Sequence, residues 1–269
     1  MTRTAIIAGR GGLPAALVAA MAERPLVAAP EGFLPDALTP DMTFRVERLV
    51  PFLKALEDAQ VTRVVFAGSV QRPHLDPAMF DPDTATLVPR LLSAMQGGDD
   101  ATLRVVVALF EEFGFSVVGV PDVAPQLIPQ AGVLAGQLTA VDENDAARAA
   151  AIVAALGAVD VGQGAVVQQG LCLALETLAG TDTMLATIPS LAALRPDAAK
   201  GRGLFYKAPK PAQDLRIDLP TIGPDTVRAI AAAGLGGIVW QAGGVICLDL
   251  PAMQALASEH GLFLWARNP

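Results

Sequence analysis

Cysteine and histidine are nearly missing from this chain: its 269 residues include two of each. Cys172 and Cys247 each sit alone in an apolar run, LCLAL and VICLD, and His74 and His260 are single residues too, with no second histidine or cysteine beside them. That spacing excludes a zinc site of the finger or ribbon kind, and it predicts two buried, reduced thiols. Aromatic residues are scarce, 5% of the chain with a single tyrosine, so the core has to be built from Ala, Val, Leu and Ile. Charge is thin as well, at 17% of residues, and it leans acidic, with a net charge of −8 and a pI near 4.7. A nucleic-acid partner needs a broad basic surface, so this balance argues against one. It leaves room for a local cationic pocket around a phosphate. The N-terminal MTRTAIIAGRGG lacks the apolar core of a signal peptide, which gives the expectation of a cytoplasmic protein. Ala229–Leu248 is uncharged and long enough to span a bilayer. Its five glycines and the break at Gly234-Leu235-Gly236-Gly237 predict the end of a helix, a turn and two short strands instead.

What is present is apolar and periodic. Apolar residues make up 52% of the chain, enough for a sizeable core. Strand-like runs at Ala5–Ala8, Leu26–Ala29, Val64–Ala67 and Ser116–Val120 alternate with helical patterns at Pro14–Arg24, Pro51–Gln60 and Asp99–Phe113. Such alternation predicts an α/β fold with a mostly parallel sheet covered on both faces. Residues 121–138 carry three prolines and no long period, so they are the candidate linker and hinge. Beyond them Asn144–Leu156 reads as a helix. Ala165–Leu175 reads as two strands about a tight turn, and Glu176–Leu194 as a helix interrupted at Gly180. Strands follow at Gly203–Ala208, Ile238–Trp240, Val245–Leu248 and Leu262–Trp265, with helices at Thr226–Ala233 and Met253–Glu259. The expectation is two α/β domains, 1–130 and 131–269, with mostly parallel or mixed sheets.

Four stretches have the composition of a site. IIAGRGGLP is a glycine-rich turn between strand and helix, where backbone N–H groups can approach a phosphate. The third glycine of the dinucleotide fingerprint would fall at Pro14, so a ligand loop and a purely structural turn both stay open. AGSVQRP puts Arg72 at the carboxyl end of a strand, either facing a ligand or solvated. Asp99-Asp100 is a helix cap or a pair of carboxylates for ribose hydroxyls or a metal. Thr181-Asp182-Thr183, five residues after Glu176, is a cap or part of a polar site. The densest stretch is KAPKPAQDLRIDLPTIGPDT, Lys207–Thr226. It holds Lys207, Lys210 and Arg216 together with Asp214, Asp218 and Asp225, stiffened by four prolines. Read as extended, it puts Asp214, Arg216 and Asp218 on one face and Leu215, Ile217 and Leu219 on the other. Cations that offset phosphate charge beside carboxylates that hold a hard divalent ion suit a pyrophosphate. The alternative is a surface ion-pair ladder worth little to stability.

In order, the glycine turn, AGSVQRP, GGDDATLR, GTDTML and KAPKPAQDLRIDLPTIGP resemble the LpxI-type UDP-2,3-diacylglucosamine pyrophosphatases of lipid A synthesis, from about Ile6 to Asp249. The resemblance implies two α/β domains with the ligand between them. It implies hydrolysis, dependent on Mg²⁺ (or Mn²⁺), of UDP-2,3-diacylglucosamine to UMP and 2,3-diacylglucosamine 1-phosphate (lipid X). The implied catalytic set is Asp225, Asp214, Asp218 and Lys207, with the three aspartates as metal ligands and Asp225 as the essential acid. The implied substrate contacts are Gly11, Gly12, Leu13, Gly68, Arg72, Asp99 and Asp100, and then Gln163, Thr181, Asp182, Lys210, Gln213 and Arg216. Gln241 stands where relatives are expected to carry Glu. An amphipathic substrate also implies transient contact with the inner face of a membrane, and a homodimer stays open. Two other readings compete: an NAD oxidoreductase, which lacks the full fingerprint, and a non-catalytic binder of nucleotide sugars or lipids, which leaves the clustered carboxylates unexplained.

Overall fold

The computed structural model describes residues 2–71, 75–96, 99–211 and 213–269, with the backbone alone for Asp99 and Asp100. The chain divides into two compact units. The first is Met1–Gln126 together with Asp214–Asp218, and the second is Leu127–Gln213 with Leu219–Pro269. The backbone therefore passes between units three times, near 126, 213 and 218.

In the first unit, strands β1 (Arg3–Ala8), β2 (Leu26–Pro30), β3 (Met42–Phe44), β4 (Val61–Ala67) and β5 (Ser116–Val117) form a parallel sheet in the order β3-β2-β1-β4-β5. β1 is central and covered on both faces, which is why it reads as an unbroken apolar run rather than an alternation. The helices are α1 (Leu13–Ala20), α2 (Leu49–Asp58), α3 (Pro82–Ala85), α4 (Val88–Gln96), α5 (Asp99–Glu112) and α6 (Val120–Val123). The few aromatics are concentrated here: Phe44 stacks on Phe52 at 3.8 Å, and Phe110 meets Phe52, Phe66 and Phe115 edgewise or tilted.

The second unit holds a six-stranded mixed sheet and a two-stranded one. Its elements are β6 (Gly132–Ala135), α7 (Ala140–Ala158), β7 (Gly164–Gln168), β8 (Leu171–Leu175), α8 (Gly180–Thr187), β9 (Leu204–Lys207), β10 (Thr221–Ile222), α9 (Pro224–Ala232), β11 (Gly237–Gln241), β12 (Ile246–Cys247), α10 (Leu250–Glu259) and β13 (Phe263–Arg267). The large sheet runs β6-β13-β11-β9-β7-β8, and β10 pairs with β12. β9, β11 and β13 are parallel, flanked by antiparallel β6 on one side and the β7–β8 hairpin on the other. α7 covers one face, packing Ala146, Ala149 and Val153 on Ala165, Leu204 and Val239. Its start is a capping box, with the Thr139 hydroxyl and the Asp142 carboxylate each accepting from the other's backbone N–H. α8, α9 and α10 cover the other face, where Leu185, Ile230 and Met253 meet Phe205, Ile238 and Trp240. The hairpin turn at Gln169-Gly170 has positive φ at both residues, 49° and 78°, the mirror-image turn that matches strand twist. The buried Asp145 carboxylate holds it, accepting both turn N–H groups at 2.8 and 2.7 Å.

Several expectations change. The candidate linker 121–138 contains the end of α6 and all of β6, because β6 finds its partner in β13, where Ala135 pairs with Leu264, a separation in sequence that leaves no local pattern. The strand expected at Ser116–Val120 stops at Val117, since Val120 opens a helix with Pro121 in its first turn. Asp214–Asp218 is a tight turn rather than an extended segment. The Asp214 carbonyl accepts the N–H of Ile217 and of Asp218, so its residues do not alternate faces. The expectation for Ala229–Leu248 holds: it is divided among the end of α9, a turn, β11 and β12. Among the described residues no helix is long and apolar enough to cross a membrane.

The two thiols also differ. Cys247 is buried, and burial pushes its pKa up to about 12. Cys172 is exposed, because β8 is the edge strand of its sheet. In the folded protein a water-soluble disulfide reagent should therefore titrate one thiol, and Cys172→Ser should abolish that reaction. Two fast equivalents in the native state would contradict the placement.

Candidate functional site

In open α/β sheets, ligands bind beyond the carboxyl ends of the strands, where successive connections leave in opposite directions. In the first unit that point lies between β1 and β4. The loops leaving these strands are laced together: Gly9 N–H donates to Ala67 O at 2.7 Å, and Arg10 and Ser69 exchange backbone bonds at 3.0 Å. The approach leaves no room for side chains. A Cβ on Gly9 would lie 2.5 Å from Ser69 O, and one on Gly68 would lie 2.6 Å from Arg10 O. Gly11 is different, with a φ of 95° and open space around it. Its N–H donates to the Asp36 carboxylate at 3.1 Å. Gly12 precedes α1, and no side chain caps that helix. The structure thus brings Gly11, Gly12, Leu13 and Gly68 to one place. Arg72 lies outside the described residues. Asp99 and Asp100 open α5.

In the second unit the corresponding edge is the carboxyl end of β9 and β11, where the strands end at Lys207 and Gln241. Lys207 is 5% exposed and Glu176 7%. Lys207 Nζ donates to Thr181 Oγ1 at 2.5 Å and lies 3.5 Å from Glu176 Oε2, while Thr181 Oγ1 donates to the same Oε2 at 2.9 Å. A buried ammonium thus has a carboxylate and a hydroxyl as partners. Glu176 lies in the turn before α8 and Thr181 in its first turn, so the helix expected over Glu176–Leu194 begins at the interruption expected at Gly180. The backbone makes room: a Cβ on Gly164 would sit 2.5 Å from Glu176 Oε2, and one on Gly162 would collide with Glu176 O. Gln163, beside Ala208, has a buried Oε1 with no partner among the described residues, and the same holds for Trp240 Nε1. Trp240 pairs in register with Lys207, so the two side chains leave the same face of the sheet. Asp182 is exposed. Lys210 pairs with Asp160 at 2.5 Å, and its N–H donates to Gln213 Oε1 at 3.0 Å.

The three aspartates of the charged stretch have different settings. Asp214 and Asp218 belong to the first unit and Asp225 to the second. Asp214 accepts from both Nε and Nη2 of Arg216, which also reaches Glu111 at 2.7 Å. The guanidinium beside it holds the Asp214 carboxyl below the usual carboxylate range. Asp225 is in the first turn of α9, which leads into β11 on the connection between the parallel neighbours β9 and β11, so its N-terminus lies toward the carboxyl end of the large sheet. Its side chain is 97% exposed, with Arg228 at 2.5 Å. Among the described residues no three His, Cys, Asp or Glu side chains gather as a metal cage. Mg²⁺ is commonly held by one or two carboxylates plus substrate phosphates, and Asp225 fits that mode better than a preformed cage.

Sequence reasoning missed Trp240. Inside GIVWQ it reads as core, and it is core; the signal was its indole N–H, which needs a partner when buried.

The fold and these two strand edges define a two-unit α/β protein with anion-compatible groups at sheet carboxyl ends. Residues 3–127 match the family model for the LpxI N-terminal domain, and residues 130–265 that for the LpxI C-terminal domain. Over 281 aligned positions the chain is 36% identical to the UDP-2,3-diacylglucosamine pyrophosphatase LpxI of Caulobacter vibrioides, covering all of this chain and 99% of that protein. The chain belongs to the LpxI family.

The buried pair sets a stability test. Lys207→Ala, which leaves Glu176 buried without its cation, should lower unfolding free energy by about 3–5 kcal/mol in urea titration. Lys207→Met combined with Glu176→Gln should lose clearly less than the two single changes added together. Additive losses would mean the two side chains do not interact.

Proposed function

We propose that this protein hydrolyses the pyrophosphate bond of UDP-2,3-diacylglucosamine, releasing UMP and 2,3-diacylglucosamine 1-phosphate, in lipid A synthesis at the cytoplasmic face of a membrane. The observation that carries this reading is the full-length 36% identity to a protein bearing that activity in its name. The chemistry of the residues supports it. A pyrophosphate diester is anionic and repels water's lone pair, so cations must offset its oxygens while a carboxylate orients or deprotonates the attacking water. Lys207 supplies a cation whose position is fixed by Thr181 and Glu176. Asp225 supplies the carboxylate, from the first turn of α9. Its pair with Arg228 is solvent-exposed and weak, so its oxygens remain available. A bound Mg²⁺ or Mn²⁺ would neutralise phosphate oxygens and lower the barrier to water attack. Asp225 is the residue we assign to hold it, together with the substrate's own phosphates. Asp214 we assign to the turn through Arg216 rather than to the metal. The two acyl chains make substrate and product amphipathic, so brief contact with a bilayer follows without an anchor.

Incubation with the substrate in ¹⁸O-water, with mass spectrometry of both products, tests the reaction. One product should carry one ¹⁸O, and absence of turnover would leave a binding protein. Asp225→Ala should fold, since an exposed aspartate in a first helical turn contributes at most about 1 kcal/mol. Its turnover should fall on the order of 10² to 10⁴-fold; near-normal turnover removes Asp225 from the mechanism. Exhaustive chelation should abolish hydrolysis and added Mg²⁺ or Mn²⁺ restore it. Full activity in chelator would refute the metal assignment.

A further inference from the structure

Twelve large apolar side chains are exposed among the described residues, and half of them fall between positions 159 and 194: Val159, Val161, Leu171, Leu175, Leu178 and Leu194. Leu171, Leu175 and Leu178 form a rim along one edge of the second unit's large sheet. Leu171 and Leu175 belong to β8, one of the two edge strands of the six-stranded sheet. Leu178 is fully exposed in the turn that follows, and Val161 precedes Gly162, which lies against the backbone of Glu176 in that turn. Leu194 precedes Arg195, whose Nε donates to Gln168, the cross-strand partner of Leu171. Asp160, exposed and paired with Lys210, and Arg195, bonded to Gln168, flank the stretch; between them, from Val161 to Leu194, the sequence holds two charged residues, Asp182 and the buried Glu176.

We propose that this rim, with Leu178 at its tip, is the surface through which the protein docks on a lipid bilayer to collect its diacylated substrate; the proposal rests on the function given above. Two observations choose a bilayer over a second copy of the chain. A free strand edge invites a second strand only where the edge is regular, and a bulge is a device that blocks such pairing. Here the β7–β8 ladder shifts register between Val166 and Val167, in the middle of the hairpin. The second observation is charge. A protein of net charge −8 is repelled by an anionic leaflet wherever its acids face it. A stretch with one exposed charge can approach. Protruding leucines on a charge-poor rim can enter the interfacial layer while the edge backbone stays hydrated among headgroups.

The turn at the tip is also tied to the candidate site. Glu176 and Thr181 bracket Leu178 in sequence, bond to each other, and hold Lys207. A lipid contact at Leu178 therefore lies five residues or fewer from both partners of the buried cation.

Flotation of the purified full chain with phosphatidylcholine vesicles, without substrate, tests the surface. The wild type should float with the vesicles, and high salt should not release it, because the contact is apolar. Leu178→Asp and, independently, Leu194→Asp should each reduce vesicle binding about tenfold while keeping the wild-type melting curve. Both variants should hydrolyse detergent-dispersed substrate as the wild type does and lose activity on vesicle-borne substrate. Wild type that stays with the soluble fraction, or variants that float equally well, would overturn the proposal. So would variants that shift sedimentation from dimer to monomer, which would make the rim an interface between copies. Failure of hydrolysis in detergent with vesicle binding intact would remove the pyrophosphatase reading and leave the docking surface standing.

Discussion

The buried ammonium of Lys207 is the constraint on which the carboxyl edge of the second sheet depends. A cation with 5% exposure cannot persist without partners. Supplying them fixes a chain of neighbouring choices. Glu176 must turn inward, so Gly162 and Gly164 give up their side chains to admit it. Thr181 must stand where one hydroxyl can accept from Lys207 and donate to Glu176, so α8 starts at Gly180, immediately before it. One charge at the end of one strand thus explains two glycines, a helix start and the shape of the turn between residues 176 and 181.

Much of the fold was legible because strand and helix periods are written locally. The central strands β1, β4, β9 and β11 are apolar runs bounded by turn residues, and the sequence shows them as such. What escaped were elements created by distant partners. β6 and β10 are four and two residues long, and each exists as a strand only because β13 or β12 lies alongside. The Asp214–Asp218 turn escaped for a related reason. Alternating polar and apolar residues predict an extended strand, but Arg216 folds back to Asp214 and also binds Glu111, 105 residues earlier. An ion pair of that separation leaves no local trace. Cys172 looked buried because LCLAL is apolar; that strand is at the edge of its sheet, which strand order decides and sequence does not.

The candidate site was legible in part. The glycine turns at Gly11, Gly12 and Gly68 and the polar groups at Gln163, Thr181, Lys207 and Lys210 fall at sheet carboxyl ends, each within its own unit. The grouping of Lys207 with Glu176 required the structure, since 31 residues separate them. Trp240 Nε1 and Gln163 Oε1, a donor and an acceptor without partners among the described residues, add polar capacity to the same end of the sheet.

An acidic protein that handles an anion has to solve an electrostatic problem, and the ion pairs indicate how the parts divide. Lys210 and Arg216 each hold an acid, Asp160 and Asp214, and those pairs shape the segment on either side of residue 212. Lys207 also holds an acid, Glu176, but that pair is buried, where water does not screen it and its geometry is fixed. Asp225 is different in the opposite sense. Its partner Arg228 sits in bulk solvent, where an exposed pair is worth about 1 kcal/mol or less. Separating it to admit water or a divalent ion therefore costs little. A cation whose position is fixed and a carboxylate whose bonds are cheap to exchange are the two properties that hydrolysis of a phosphate anhydride demands. In this chain they lie at the same end of one sheet because α9 returns its N-terminus to the edge where β9 ends.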